Sequence, residues 1–185
     1  MPPTVSILLP VFNAAQTLAT CLKSIRRQTF IDWECIIVDD GSGDASIETA
    51  VTAAASDPRF IIVRREHAGL IETLNAGIDR CSGDLVARMD ADDWMHRDRL
   101  KLQARALADD ESLEIVGAHI RYFPRSGLGD GSREYEGWLN SMRSRPTCTE
   151  NASWSVRLPT RRGCCNARRS SARDIKITDG PRTTI

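Results

Sequence analysis

The sequence is short of several things that would have classified it at once. Its 25 basic and 25 acidic side chains leave no net charge, a balance that says nothing about partners. No apolar run approaches the roughly 20 residues needed to span a bilayer, and Met1–Pro10 lacks the basic start and apolar core of a secretory signal. An intracellular, cytoplasmic chain is the expectation. The six cysteines form no Cys-x-x-Cys pair, which removes zinc-ribbon and thioredoxin readings and leaves reduced, mostly buried thiols. No His-x-x-x-His spacing occurs, and Asn151-Ala152-Ser153 is a chance sequon in a chain with no secretory signal. Gly-x-Gly-x-x-Gly is missing after the first strand, where a dinucleotide fold needs glycine to close on a pyrophosphate. The Gly-x-x-x-x-Gly-Lys-Ser/Thr of P-loop proteins is also absent.

What is present is ordinary globular composition, 41% hydrophobic and 27% charged over 185 residues, enough for one domain with a substantial core. The zero net charge is a cancellation. Residues 1–141 hold 15 basic and 22 acidic side chains, and residues 142–185 hold 10 and 3.

Short apolar runs rich in β-formers predict strands at Val5–Leu9, Trp33–Val38, Phe60–Val63, Leu85–Met89 and Ile115–Ile120. Apolar residues at helical spacing predict intervening helices: Ala14 to about Gln28, a second to about Ala55 capped by Asp44 or Ser46, a third on Leu70, Leu74 and Ile78, and Arg99–Ala108 capped by Asp98. Such alternation implies βαβ units and a mainly parallel sheet covered on both faces. Ligands then bind beyond the carboxyl ends of the strands.

Those ends carry the chemistry. After the second strand comes Asp39-Asp40-Gly41-Ser42-Gly43-Asp44. Adjacent carboxylates there need a donor-rich partner, and a nucleobase edge offers N–H donors; a tight turn capped by Asp44 is the alternative. After the fourth strand stands Arg88-Met89-Asp90-Ala91-Asp92-Asp93-Trp94. Alternation puts Asp90 and Asp92 on one side with Asp93 turned away from it. Hard oxygen donors so clustered suit Mg²⁺ or Mn²⁺ shared with substrate phosphates, although a solvated acidic turn has the same composition. A phosphoreceiver pocket is disfavoured, because it requires a lysine after its last strand and a shorter acidic turn. Arg64 and Arg65, after the third strand, can meet phosphate or these carboxylates. His67, His96 and His119 have no assigned role.

Taken in order, Val5-Ser6-Ile7-Leu8-Leu9-Pro10-Val11-Phe12-Asn13, Gln28-Thr29-Phe30, Val38-Asp39-Asp40-Gly41-Ser42, Gly69, Asn75-Ala76-Gly77, Gly83-Asp84, Asp90-Ala91-Asp92-Asp93 and Asp98-Arg99-Leu100 resemble the N-terminal half of a family 2 glycosyltransferase of the GT-A type. The resemblance covers about residues 3–123. It implies a GT-A-like α/β fold, a nucleotide-sugar donor, a divalent metal (Mn or Mg) and transfer with inversion to a glycan or lipid-linked acceptor, with peripheral membrane association and no nucleic acid. By position, Pro10, Phe12, Asn13, Asp39 and Asp40 fall in the nucleotide-binding region. Asp90, Asp92 and Asp93 fall in the Asp-x-Asp region, where Asp90 meets the nucleotide and Asp92 and Asp93 the metal. Family members supply a general base from a downstream Glu-Asp pair, and this sequence has no such pair. Asp109-Asp110-Glu111, the other acidic cluster, lies at a helix end before the fifth strand.

The expected organisation is therefore a donor-binding domain over residues 1–123, a connecting segment over 124–141 and an irregular basic tail over 142–185. A basic tail of this kind can bind nucleic acid or acidic lipid; a frame shift between about Trp138 and Asn151 accounts for its details better and is the expectation. Re-reading each codon from the last base of its predecessor permits Trp-Pro-Glu-Asp-Tyr across Asp179–Thr184, and a family-like segment across Asn151–Arg162 in the same shifted frame.

Overall fold

The computed structural model describes residues 2–141 and the backbone of 154–157. Four parallel strands, β1 (Val5–Val11), β2 (Trp33–Asp39), β3 (Phe60–Arg64) and β4 (Leu85–Arg88), lie in the order β3-β2-β1-β4. Beyond β4 come β6 (Trp154–Arg157) and, outermost, β5 (Ile115–Gly117); β6 is antiparallel to both its neighbours. The helices are α1 (Leu18–Arg26), α2 (Ser46–Ser56), α3 (Leu70–Ile78), α4 (Arg99–Asp109) and α5 (Asp130–Ser141).

Alternation along β1 divides the core. Val5, Ile7, Leu9 and Val11 pack with Leu18, Cys21, Leu22 and Ile25 of α1, Ala50 and Ala53 of α2, and Leu100 and Leu107 of α4. Leu8, with Ile36 and Val38 of β2, faces Leu74 and Ile78 of α3 on the other side. The sheet is thus covered on both faces, as the sequence predicts.

α3 lies close because Gly77 has no side chain: a Cβ there would stand 2.2 Å from Leu8 Cδ1 and 2.9 Å from Val38 Cγ2. Gly77→Ala is therefore expected to cost about 1–3 kcal/mol through overpacking, read as a lower urea midpoint with an unchanged slope.

The structure departs from expectation at several points. Neither Asp44 nor Ser46 is the N-cap of α2: Ala45 stands there without a side-chain cap, Ser46 is the first helical residue, and the Ser46 amide donates to Asp44 Oδ1 at 3.0 Å. α1 starts at Leu18 rather than Ala14, because the Ala14 and Ala15 amides donate to Ser46 Oγ (2.8 Å) and Asp44 Oδ2 (2.9 Å) and hold a turn there. It also ends at Arg26, and Gln28 turns inward, donating from Nε2 to the His96 carbonyl (2.8 Å) and accepting at Oε1 from the Leu100 amide (3.1 Å). Asp98 precedes α4 but makes no capping bond; its carboxylate accepts from the Thr29 hydroxyl (2.8 Å) and the Arg97 guanidinium (3.3 Å). The 124–141 segment holds α5, whose Asn140 bonds both backbone groups of Ile120 at 2.9 Å and draws that residue out of β5. The basic tail contributes β6, where Trp-Ser-Val-Arg supplies strand formers that pair with the otherwise open edge of β4.

Candidate functional site

Strand order reverses at β1: the chain runs outward through β2 and β3, then returns to β4 on the other side. The crevice of such a sheet opens at this switch point, beyond the carboxyl ends of β1, β2 and β4. Phe12, Asp39-Asp40 and Asp90–Asp93 all leave the sheet there.

On the β1–β2 side, Asp40 is only 3% exposed and its carboxylate is held by the loop after β3. Oδ1 accepts from the Ala68 amide (3.0 Å) and Oδ2 from the Gly69 amide (2.9 Å), while His67 Nδ1 lies 2.9 Å and Arg65 Nε 3.5 Å from the carboxylate. Burial alone would raise its pKa. The bonds from Ala68, Thr73 and Gly69 and the His67 charge overcome this and hold it below the ordinary value. Two glycines permit the arrangement. Gly69 sits at φ 89° and Gly41 at φ 74°, and a Cβ at Gly41 would come within 2.9 Å of the His67 amide.

Asp39, also buried, accepts one bond from the Ser42 amide at 3.3 Å. Asn13, at φ 50°, donates its amide to Ser42 Oγ (3.0 Å) and accepts from the Gly43 amide at its side-chain oxygen (2.9 Å), tying the loop after β1 to the loop after β2. Pro10, half-buried, pairs with Val38 in the sheet. Phe12 projects from the end of β1, 49% exposed, and stacks on His67 with ring centroids 4.3 Å apart.

On the β4 side, the Asp93 amide donates to the Asp90 carbonyl (3.1 Å), closing a tight turn that gathers the three carboxylates. The Asp93 pKa is raised, first by burial and then by the charges of Asp90 and Asp92. Arg88 pairs with Asp90 at 3.1 Å. Arg99, the first residue of α4 and 7% exposed, donates from Nη2 to the Arg88 carbonyl (2.9 Å) and from Nε to Gln103 Oε1 (3.0 Å). Burial lowers its pKa to about 10 against the pull of Asp93 and Asp90, so it stays charged at neutral pH. Cys21 lies behind the same turn, and burial followed by Asp93, Asp92 and Asp90 pushes its thiol to about 12. Cys35 and Cys81 are likewise buried. Cys148, Cys164 and Cys165 lie outside the described residues.

Among the described residues no three His, Cys, Asp or Glu side chains are placed together so as to hold a metal ion by themselves. Hard, mutually repelling carboxylates on one turn do fit a divalent ion that takes one or two of them and fills its remaining positions with phosphate oxygens and water.

The family model for glycosyl transferase family 2 matches residues 6–175. The chain belongs to glycosyltransferase family 2. Among its relatives is the putative glycosyltransferase EpsH of Bacillus subtilis (strain 168), 40% identical over 113 residues that make up 61% of this chain and 33% of EpsH. The mannosyltransferase PcManGT from Pyrobaculum calidifontis, solved with GDP-Man and Mn²⁺, superposes with a TM-score of 0.58 at 26% identity, over 65% of this chain and 36% of that one. S. aureus TarS 1-349, solved with UDP-GlcNAc, superposes with a TM-score of 0.57 over 68% of this chain and 38% of TarS; at 23% identity it shows the shared GT-A fold alone. The chain spans less than half the length of each of these three proteins.

The structure brings Phe12, Asn13, Asp39 and Asp40 into one loop cluster and Asp90, Asp92 and Asp93 into one turn. Sequence reasoning passed over His67, which bonds Asp40 and stacks on Phe12, and left Arg88 and Arg99 without roles. Arg88 had a readable signal, two residues before Asp90 in an alternating segment. His67 had only its place in a loop at the carboxyl end of the sheet.

Proposed function

We propose that this chain binds a nucleoside-diphosphate sugar with a divalent ion, Mn²⁺ or Mg²⁺, as the donor-binding part of an inverting family 2 glycosyltransferase. The observation that carries the reading is the acidic turn after β4, set across β1 from Asp39 and Asp40 at the switch point of the sheet. Asp39, with one internal bond from Ser42, accepts from the base edge, and the Phe12–His67 stack gives the base an apolar neighbour. Asp40 and Asn13 act by fixing the loops that present these groups. Asp90 meets the nucleotide, and Asp92 and Asp93 hold the ion. Bound there, the ion supplies positive charge that neutralises the diphosphate as it leaves. The acceptor is a glycan or lipid-linked sugar presented at the cytoplasmic face of a membrane; among the described residues no helix is long and apolar enough to cross one.

One observation favours a second reading. No Glu-Asp pair occurs in the sequence to take the acceptor proton. The 1–123 domain is then a donor-binding module, and residues after about 145 do not supply the acceptor half.

Isothermal titration with UDP-, dTDP- and GDP-sugars, each with Mn²⁺ and with EDTA, tests the proposal. At least one donor is expected to bind in a Mn²⁺-dependent manner, and Mn²⁺-independent or absent binding throughout would overturn it. Donor hydrolysis, followed in parallel, separates enzyme from module: turnover requires another residue to act as base, and binding without turnover supports the module.

A further inference from the structure

The acidic turn carries its own cations. Arg99 is placed against two costs: a guanidinium is rarely buried, and a positive charge at the first residue of a helix opposes the helix dipole. Part of that cost is met within α4, where Nε donates to Gln103 Oε1 at 3.0 Å, and part by the turn overhead. The Arg99 guanidinium grips the Arg88 carbonyl at 2.9 Å, with Nη1 3.6 Å from Met89 Sδ, while the Arg88 side chain reaches forward to Asp90 at 3.1 Å. Both arginines act electrostatically on Asp93. One positive charge, Arg88, is thus ion-paired within the turn, and a second, Arg99, is buried against the turn's backbone.

We propose that Arg99, seconded by Arg88, is a positioning residue that serves as the resident counter-charge of the Asp90–Asp93 turn, holding it in shape without metal and competing with metal for its carboxylates. Mn²⁺ alone is bound weakly as a result, and binding tightens when a nucleoside diphosphate brings further oxygens. This rests on the reading that Asp92 and Asp93 hold the ion.

The test is Mn²⁺ binding to the full chain without nucleotide, followed by the electron paramagnetic resonance signal of free Mn²⁺, together with the Mn²⁺-induced rise in Tm. Arg99→Met is expected to bind Mn²⁺ about tenfold more tightly, because a nearby like charge has gone, and to gain more in Tm from Mn²⁺ than the parent does. Arg99→Lys, which keeps the charge, should stay within about twofold of the parent on the same argument. Arg88→Gln leaves α4 untouched and should shift Mn²⁺ affinity the same way by a smaller factor, and it decides the matter if Arg99→Met does not fold. Asp93→Asn should raise the Tm of Arg99→Met but not lower that of the parent. A fall in baseline Tm with unchanged Mn²⁺ affinity would mean a packing role only and overturn the proposal, as would Arg99→Lys behaving like Arg99→Met. If the parent binds Mn²⁺ with UDP but not more tightly after either arginine is removed, this inference fails and the donor site stands. If no form binds Mn²⁺ even with UDP, the metal reading fails and takes this inference with it.

Discussion

Asp93→Ala should remove most of the Mn²⁺-dependent affinity for a nucleoside-diphosphate sugar, on the order of 100-fold or about 3 kcal/mol, while the metal-free protein melts no lower than the parent. The two readouts separate because Asp93 is a strained carboxylate. Partial desolvation and the charges of Asp90 and Asp92 raise its pKa, so its ionised form is less stable in the folded chain than in the unfolded one. Alanine relieves that repulsion and removes a ligand in one step. Asp92→Ala should lose comparable affinity, since an ion with only one or two protein carboxylates has no spare. The raised pKa also fixes the pH trend. A proton competes with the ion at Asp93 from a higher pH than at an ordinary aspartate, so Mn²⁺ affinity should fall as pH is lowered toward the acid range, and Asp93→Ala should flatten that fall. Titration with Mn²⁺ in place and with EDTA isolates the metal-dependent part. Unchanged affinity in both variants would move the ion away from this turn.

The fold was legible because the central parallel strands β1 and β2 are buried on both faces and so read as continuous apolar runs, in which even the polar members are enclosed. Boundaries failed where a side chain from far along the sequence captured backbone groups. Ala14 and Ala15 have helical company in sequence, but Ser46 and Asp44 take their amides. Asp98 has capping chemistry, but Thr29 takes its carboxylate. β6 was unreadable for a different reason. Four residues of Trp-Ser-Val-Arg within an arginine-rich tail make a strand only because the edge of β4 offers a partner.

The same distinction runs through the site. The Asp90–Asp93 turn is local, with its carboxylates, its closing hydrogen bond and its Arg88 partner all within six residues, and spacing alone exposed it. Asp39 and Asp40 were visible as a pair but not as two different residues. Both are buried, and which of them is tied to the loop after β3 is decided by amides 28 and 29 positions downstream of Asp40, which no local pattern encodes. Arg99 was hidden in the same way: a basic residue opening an amphipathic helix looks like surface until β4 is laid beside it.

The division of labour within the Asp pair leads to the largest expected effect on stability. Asp40→Ala should destabilise the chain by about 3–5 kcal/mol, the range for removing one partner from a buried charged network. It strips acceptors from the Ala68 and Gly69 amides and leaves Arg65 and His67 without the carboxylate they face. Asp40→Asn keeps the shape and isolates the charge. The folded-state pKa of Asp40 lies below its unfolded value, so the ionised form stabilises the fold above the ordinary aspartate range, near pH 4, and that contribution is lost as pH falls further, through the folded-state pKa. The stability difference between parent and Asp40→Asn, measured by urea unfolding from pH 7 to pH 2, should therefore persist down to about pH 4 and shrink below it. A difference that stays level to pH 2 would show that hydrogen-bond geometry, and not charge, holds the loop. Because the same loop carries His67 under Phe12, either substitution should also weaken donor binding in EDTA, where Asp93→Ala leaves the residual affinity intact. The two ends of the crevice can thus be told apart: one fails with the metal, the other with the loop that carries the aromatic stack.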